Sequence, residues 1–286
     1  FAEITATHHF CSANTAAPPH SLHQTGSAIA NATVILSHQS RSARGFRVAR
    51  AAEGGKRVEM ADTLQALRES EFHRSTTLAL DAHPFVSDAE SGNLSAKRLT
   101  ALALEQLSVV ACDLKSFRHL AGTCQADGSK PAATKFFSML ADGEEAASGK
   151  LSCMLSWLGV TPKEQAAYTW QMEAQAYPSY MARCAHYGSP AAISAACAVN
   201  FPTWGEQCRR IHTSLLTVPG CHGDCTAEDV AFLEHFATPI PGLDDMAIAC
   251  LEEDKAVTRD EVITVTRLLQ ACELMFWDSV YYKHKR

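Results

Sequence analysis

Signals that start α-helices recur along the chain from residue 60 onward, and they constrain the fold more than any other feature. Residues 161–164 form a capping box with Pro162 at the first helical position, and residues 258–261 form a second capping box. Ser95 precedes another long apolar run with helical periodicity. Apolar and polar residues nowhere alternate with period two between turn dipeptides, so no strand is predicted. The sequence therefore predicts an all-α fold.

The spacing of these signals predicts eight helices with short connections and no internal repeat. The predicted helices cover residues 62–80, 96–121, 131–158, 162–187, 190–216, 226–236, 242–255 and 259–282. Helices of these lengths that are joined by short loops are expected to pack as a single multi-helical bundle.

The first 59 residues differ in composition from the remainder of the chain. They hold six basic but only three acidic residues and lack a sustained amphipathic period. Acid-poor segments with Ser and Arg are typical of organelle transit peptides, and residues 48–52 resemble a plastid processing site. We predict a disordered leader at residues 1–59 that directs the protein to a plastid, and a helical domain at residues 60–286. The alternative is an extension upstream of a start at Met60, in which case a cytoplasmic protein is expected.

Charge and hydropathy exclude two classes of partner. After residue 59 the chain holds 28 acidic and 19 basic residues, so it would repel phosphate backbones, and no nucleic-acid binding is expected. No apolar run approaches the roughly 20 residues that span a bilayer, so no membrane insertion is expected.

The 11 cysteines do not indicate a disulfide scaffold, because most of them lie in apolar helical stretches of a long chain. We interpret these as small core residues. Cys221 and Cys225 flank a short polar loop without a second pair at zinc-site spacing. We interpret them as a redox-active pair of cysteines in a loop rather than as a metal site.

The last predicted helix carries one acid in an apolar stretch, since Glu273 is the only charged residue between Arg267 and Asp278. Helical spacing puts Leu269 and Trp277 on the same face. Burial there would raise the pKa of the carboxyl group, which suits general acid–base catalysis. The alternative is that Glu273 faces solvent or pairs with a basic residue elsewhere in the bundle, and the sequence favours neither.

Pro202 lies inside a helical pattern, so it is expected to kink the helix and to free the carbonyl group four residues earlier. Asn200 and Trp204 are four residues apart on one face and are candidates for the wall of a ligand pocket. Phe201 is also a candidate for ligand contact, although an aromatic residue in such a helix is more often part of the core.

A second proline, Pro178, lies inside the helix predicted at 162–187 and is expected to bend it. Tyr177 and Tyr180 flank it, and their hydroxyl groups are candidates for ligand contact. Buried structural tyrosines are the commoner outcome.

Taken in order, several segments resemble the TenA/thiaminase-2 proteins of the TENA/THI-4/PQQC family. In chain order the matching motifs are HPFV at 83–86, GNL at 92–94, AYPSYM at 176–181, WGE at 204–206 and CELMFW at 272–277 followed by Tyr281. Together they cover roughly residues 65–282. The resemblance implies a heme oxygenase-like multi-helical bundle.

The resemblance also assigns roles to individual positions. In TenA-type thiaminases a cysteine on the kinked helix attacks the pyrimidine ring, a glutamate on the last helix is the acid–base group, an aspartate orients the ring and tyrosines line the pocket. These roles fall on Asn200 for the cysteine, Glu273 for the glutamate, Gln106 (with Glu105 beside it) for the aspartate and Tyr177 for one tyrosine. Asparagine cannot form a thiolate, so the nucleophile is missing.

Two other cysteines lie on the same predicted helix as Asn200, but neither is well placed to replace the missing thiol. Cys197 would need a shift of the backbone, and Cys208 is two turns away.

Two functions follow from the resemblance, and whether the protein is an enzyme is left open. The first is a divergent hydrolase of an aminopyrimidine product of thiamin breakdown, in which Glu273 activates water and Asn200 and Gln106 hold the heterocycle. The alternative is a non-catalytic small-ligand-binding or regulatory protein. In both cases the expected partner is a small aromatic, pyrimidine-like heterocycle, and the resemblance implies a homo-oligomer.

A di-iron oxidase is a third alternative, because related helical folds hold such centres. No Glu-x-x-His pair lies on the predicted core helices, although Glu and His candidates exist. We therefore expect no metal, and no cofactor is predicted.

Overall fold

A computed structural model describes residues 60–218 and 225–284, with side chains from Thr63 onward. All of these residues belong to one compact unit, Gly54–Arg286. The predicted leader at 1–59 and Cys221 lie outside the described residues.

The described residues form eleven α-helices and no strand, which confirms the predicted all-α class. In chain order the helices are α1 (Met60–Glu69), α2 (Glu71–Asp81), α3 (Pro84–Glu90), α4 (Ala96–Asp127), α5 (Pro131–Trp157), α6 (Pro162–Ala167), α7 (Ala176–Tyr187), α8 (Pro190–Thr217), α9 (Ala231–Ala237), α10 (Leu243–Glu253) and α11 (Arg259–Tyr282).

The prediction of eight helices was wrong at the N-terminal end of the bundle, where local capping divides the chain. The first predicted helix is split at Ser70, whose hydroxyl accepts a hydrogen bond from the backbone N–H of His73 and so starts α2. The short helix α3 was missed. It begins after His83, whose ring Nδ1 accepts the backbone N–H of Phe85, with Pro84 at the first helical position.

The helix predicted at 162–187 was also wrong, because it is two helices separated by an irregular segment at residues 168–175. α6 ends where Tyr168 adopts an extended conformation, with φ −67° and ψ 132°. Pro178 therefore lies in the first turn of α7 rather than at a bend. A proline there breaks no helical hydrogen bond, since the N–H groups of the first turn have no partner within the helix.

Two other boundaries shift by several residues. α4 continues past the predicted end to Asp127 and stops at Gly128, which adopts a left-handed conformation (φ 71°) that glycine tolerates best. α9 starts at Ala231 rather than at 226, because Thr226 and Asp229 cap a turn instead of a helix.

The core consists of two clusters of buried side chains. The first contains Phe117, Phe136 and Phe137, and the second contains Phe85 and Trp277. α4 packs along α5, and α8 packs against α9, α10 and α11. The long helices α4, α5, α8 and α11 carry residues of both clusters. No described helix is long and apolar enough to cross a membrane.

Helix α8 contains the predicted internal proline, Pro202. Proline has no N–H for the carbonyl of Ala198 four residues earlier. Arg68 of α1 supplies a replacement, since its guanidinium group donates to the Ala198 oxygen at 2.9 Å. Near Pro202, α8 packs tightly against α9 at Gly205. A Cβ atom added at Gly205 would lie 2.8 Å from the carbonyl oxygen of Phe236, so only glycine fits there without a shift.

Candidate functional site

Eight of the described helices contribute residues to a cavity of about 740 Å³ at the boundary between the two core clusters. Tyr177 packs against both clusters, Phe201 against the first and Trp204 against the second. The structure places six of the candidates from the sequence in the wall of this cavity: Gln106, Tyr177, Asn200, Phe201, Trp204 and Glu273. The other candidate tyrosine, Tyr180, does not line it. A cavity of this size can hold a small heterocyclic ligand.

Aromatic side chains make up one wall of the cavity around Trp204. Its ring centroid lies 6.1 Å from that of Phe236, 5.9 Å from that of Phe276 and 5.2 Å from that of Trp277. The rings are tilted or edge-to-face, which are the arrangements that aromatic pairs prefer. The wall is therefore pre-formed by packing on α8, α9 and α11.

Glu273 is buried in this cavity, with 4% of its surface exposed. Burial raises the pKa of its carboxyl group to about 8, and the nearby Asn200 and Trp277 side chains offset the rise only in part. Neither carboxyl oxygen has a hydrogen-bond partner that meets normal geometry among the described residues. Of the two interpretations left open by the sequence, the buried acid without a basic partner is the one that the structure contains.

Asn200 lies beside Glu273 and is itself buried, with 2% of its surface exposed. Its side-chain oxygen has no hydrogen-bond partner in the described part of the chain. An unpaired buried amide costs free energy unless a ligand or water bonds to it. Asn200 and Glu273 together therefore present a neutral amide and a protonated acid to whatever occupies the cavity.

None of the described cysteine thiols lines the cavity. Cys208 lies close to Glu273, and Cys197 lies close to Asp113, but both are fully buried. Burial raises the pKa of each thiol well above its ordinary value, which disfavours the reactive thiolate. The cysteines in the described part of the chain thus offer no substitute for the thiol that is missing at position 200.

Gln106 and its neighbour Glu105 have different surroundings. Gln106 lines the cavity, whereas Glu105 is completely buried outside it. Glu105 accepts hydrogen bonds from the Tyr168 hydroxyl (2.8 Å), the Gln171 backbone N–H (2.9 Å) and the Gln175 side-chain amide (2.6 Å). It therefore anchors the irregular segment 168–175, which leads into α7 and positions Tyr177.

Two acids of the cavity were missed by the sequence analysis. Asp113 on α4 and Glu144 on α5 both line it, with 3% and 8% of their surfaces exposed. Burial raises the pKa of Asp113 to about 7, and the nearby Tyr177 hydroxyl offsets part of the rise. Burial and the charge of Asp113 raise the pKa of Glu144 well above its ordinary value.

A signal for Asp113 exists in the sequence, since it is the only charged residue between Glu105 and Lys115 on a helix-periodic run. It also follows Gln106 by seven residues, which places both on one face of α4. The same pattern, a lone charge in an apolar helix, distinguishes Glu273. Glu144 gives no such signal, because it is followed by Glu145, and two adjacent acids are typical of a solvent-exposed helix face.

Two ion pairs complete the polar lining. Arg68 forms a fork with Asp244, with N–O distances of 2.6 and 2.7 Å, and Arg209 pairs with Glu206 on α8. Each pair neutralises its own charge, so neither arginine balances the buried acids Glu273, Asp113 and Glu144.

The described residues contain no group of three or more His, Cys, Asp or Glu side chains that could hold a metal ion. Several glutamates on and near the core helices have protein partners instead. Glu105 anchors residues 168–175, Glu206 pairs with Arg209, and Glu261 accepts the backbone N–H of Ser189.

Solved structures of other proteins share this fold, and three of them are as follows. A TenA homologue from P. horikoshii OT3 is 14% identical, with a TM-score of 0.58 over 77% of this chain and 98% of its own. A TenA homologue from Pseudomonas syringae pv. tomato is 12% identical, with a TM-score of 0.63 over 80% of this chain and 97% of its own. A protein from Silicibacter sp. TM1040 described as a TenA family transcription regulator is 12% identical, with a TM-score of 0.55 over 79% of this chain and 96% of its own.

The sequence comparisons agree with this structural likeness. No curated protein gives a significant match. The model of the TENA/THI-4/PQQC family matches residues 71–283, which span α2 to the end of α11 and include every cavity residue except Arg68. The chain therefore belongs to the TENA/THI-4/PQQC family.

Proposed function

We propose that the protein is a hydrolase that acts on an aminopyrimidine product of thiamin breakdown and serves thiamin salvage. One observation carries the proposal: Glu273 is buried in a ligand-sized cavity, lacks a basic partner and has a pKa raised to about 8. Such a carboxyl group exchanges its proton near physiological pH, as a general acid–base catalyst must.

Glu273 acts on water directly in this proposal, because position 200 carries no nucleophile. The ionised carboxylate accepts a proton from water while the water oxygen attacks the carbon that bears the leaving amine. The carbon–nitrogen bond then breaks, and Glu273 returns the proton to the departing nitrogen. The reaction consumes one water molecule and leaves the enzyme unchanged.

The neighbouring side chains would bind and orient the ring. Asn200 and Gln106 offer amide donors and acceptors that match the edge of an aminopyrimidine. Trp204 and Phe201 offer flat apolar surfaces on which such a ring can stack.

A second candidate function is a non-catalytic binding or regulatory protein, and Asn200 favours it. An amide in place of the family thiol keeps hydrogen bonding while it removes the nucleophile. In this case the cavity would bind the same heterocycle without turnover.

The decisive experiment compares the wild-type protein with Glu273→Gln on thiamin, on its aminomethylpyrimidine fragment and on the formylated fragment. The hydrolase predicts release of product by the wild type and a loss of about 100-fold or more in the variant. Glu252→Gln is the matched control, because Glu252 is exposed on α10 and does not line the cavity. Binding of a pyrimidine without turnover by either protein would instead support the binding protein.

The leader and the oligomeric state are separate proposals. We propose that residues 1–59 direct the protein to a plastid, as their composition indicates, and mass spectrometry of the mature N-terminus tests this. We also propose a homo-oligomer, by analogy with the family, and light scattering of the purified protein tests it.

A further inference from the structure

A second polar centre of the cavity has no role in the proposed hydrolysis. It consists of Asp113 on α4 and Glu144 on α5, two helices that pack along each other. One carboxyl oxygen of Asp113 is buried without a hydrogen-bond partner among the described residues. An unpaired acceptor that lines an internal cavity is satisfied when a donor enters the cavity.

No basic side chain of the described residues balances this pair. Burial is the main cause of the raised pKa of both acids, and only the Tyr177 hydroxyl lowers that of Asp113. The titratable and charged side chains on the other helices of the lining and beside it are Arg68 on α1, Tyr177 on α7, Cys197, Glu206 and Arg209 on α8, His235 on α9, Asp244 and Asp245 on α10 and Glu273 on α11. Both arginines of the lining are committed to acids of their own, Arg68 to Asp244 and Arg209 to Glu206. The centre is therefore acidic and open to a cation.

The pair is distinct from the acid–base centre at Glu273. Burial, Asn200 and Trp277 account for the raised pKa of Glu273, and neither Asp113 nor Glu144 contributes to it. The charges of Asp113 and Glu144 help to raise the pKa of the Cys197 thiol. The charge of Glu273 instead acts on the pKa of the Cys208 thiol, which lies eleven residues later on α8. The pair is therefore built on α4 and α5, whereas Asn200 and Glu273 belong to α8 and α11.

We propose that the Asp113–Glu144 pair is a binding site for the protonated primary amine of a ligand in this cavity. An ammonium group has three N–H donors and a positive charge, so it satisfies the unpaired Asp113 oxygen and the Glu144 carboxylate together. The Tyr177 hydroxyl lies beside Asp113, and its oxygen can accept a hydrogen bond from the third N–H of the ammonium group. The choice of an aminomethylpyrimidine as the ligand rests on the proposed function, whereas the amine site itself rests on the cavity.

Binding of a cation at this pair must be coupled to the release of protons from Asp113 and Glu144. In the empty cavity the two acids keep protons near neutral pH, since burial and their mutual repulsion disfavour the charged forms. An ammonium group binds the ionised form, so each binding event releases protons to solvent. Affinity for the amine therefore increases from about pH 6 to about pH 8, as long as the amine stays protonated.

Isothermal titration calorimetry with two pyrimidines tests the site. The aminomethylpyrimidine fragment of thiamin carries the amine, and the corresponding hydroxymethylpyrimidine replaces it with a neutral hydroxyl group. We expect tighter binding of the amine than of the alcohol. For the amine, the observed binding enthalpy should change with the ionisation enthalpy of the buffer, because protons are released on binding. For the alcohol, the binding enthalpy should not depend on the buffer. Equal affinity for both compounds, or amine binding without proton release, would overturn the proposal without any variant being needed.

Variants then assign the effect to the pair. Asp113→Asn with Glu144→Gln keeps the side-chain shapes, and we expect it to weaken amine binding by about 10- to 100-fold while alcohol binding is retained. Asp142→Asn is the matched control, because Asp142 is exposed on the same helix as Glu144 and does not line the cavity. Retained alcohol binding also shows that the double variant is folded.

The outcomes separate this site from the proposed function. If the wild type hydrolyses the neutral formylated fragment but the double variant binds the amine normally, the amine site is wrong and the hydrolase stands. If no substrate is hydrolysed but amine binding depends on Asp113 and Glu144, the hydrolase is wrong and the amine site stands.

Discussion

The guanidinium group of Arg68 donates a hydrogen bond of 2.9 Å to the carbonyl oxygen of Ala198, the oxygen that Pro202 cannot bond. The same guanidinium group holds Asp244 of α10 in a fork. Arg68 thus joins the proline site of α8 to α1 and α10. Because Arg68, Pro202 and Asp244 all line the cavity, this connection also fixes one part of its wall.

Replacement of Arg68 by methionine is expected to destabilise the protein by about 1–2 kcal/mol, since it leaves the Ala198 oxygen and Asp244 without their partner. In a Pro202→Ala background the new N–H can bond Ala198 within the helix, so the cost of Arg68→Met should be smaller. Urea unfolding of the wild type, both single variants and the double variant measures this coupling. An equal cost of Arg68→Met in both backgrounds would show that Arg68 acts through Asp244 alone.

The fold was predictable from the sequence where helix signals are local. The long helices α4, α5, α8 and α11 follow the predicted starts, because Ser95, Ser189 and Thr258 cap them through their own side chains and proline begins α5. The break after α6 was not predictable in this way. It depends on Glu105, which lies more than 60 residues earlier and binds the backbone of the irregular segment.

The site shows the same division between local and long-range causes. Glu273 and Asn200 stand out because a lone polar residue in an apolar helix must be buried or paired. Asp113 carries the same signal, whereas Glu144 becomes a cavity residue only because α5 packs along α4 and turns that one acid inward. The local sequence around Glu144 and Glu145 does not show which of the two acids faces the cavity, because packing between distant segments decides it.

The buried acids are expected to make the protein less stable as the pH rises. The folded protein holds the Glu273 proton with a pKa of about 8, against an ordinary value of 4.5. Between those values the unfolded chain binds fewer protons than the folded one, so the free energy of unfolding falls with increasing pH. The slope for such a group reaches about 1.4 kcal/mol per pH unit.

Glu273→Gln should therefore flatten the decline in stability between about pH 5 and about pH 8 and make the protein more stable than the wild type at the alkaline end. Chemical denaturation at several pH values measures this. Glu252→Gln serves as the exposed control and should follow the wild-type curve. A Glu273→Gln protein with an unchanged pH slope would place the carboxyl group in contact with solvent.

Activity is expected to rise with pH if Glu273 activates water, because only its ionised form accepts a proton. Below a pKa of about 8 the ionised fraction increases tenfold per pH unit, so kcat/KM for the neutral formylated fragment should increase in the same proportion and level off near that value. The neutral substrate avoids any contribution from ionisation at the Asp113–Glu144 pair. A profile that is flat from about pH 6 to about pH 8 would exclude Glu273 as the base.

Introduction of a thiol by Asn200→Cys tests whether the cavity still supports nucleophilic catalysis. The new side chain lies beside Glu273, whose pKa of about 8 is close to that of an ordinary thiol at about 8.5, so the carboxylate can accept the thiol proton. We expect faster hydrolysis than in the wild type, a covalent pyrimidine adduct detectable by mass spectrometry, and loss of both on treatment with iodoacetamide. Asn200→Ser is the control of equal size without a thiol, and the native Cys197 and Cys208 do not line the cavity. If the cysteine and serine variants behave alike, position 200 does not face the reacting carbon, and the amide in the wild type serves ligand binding alone.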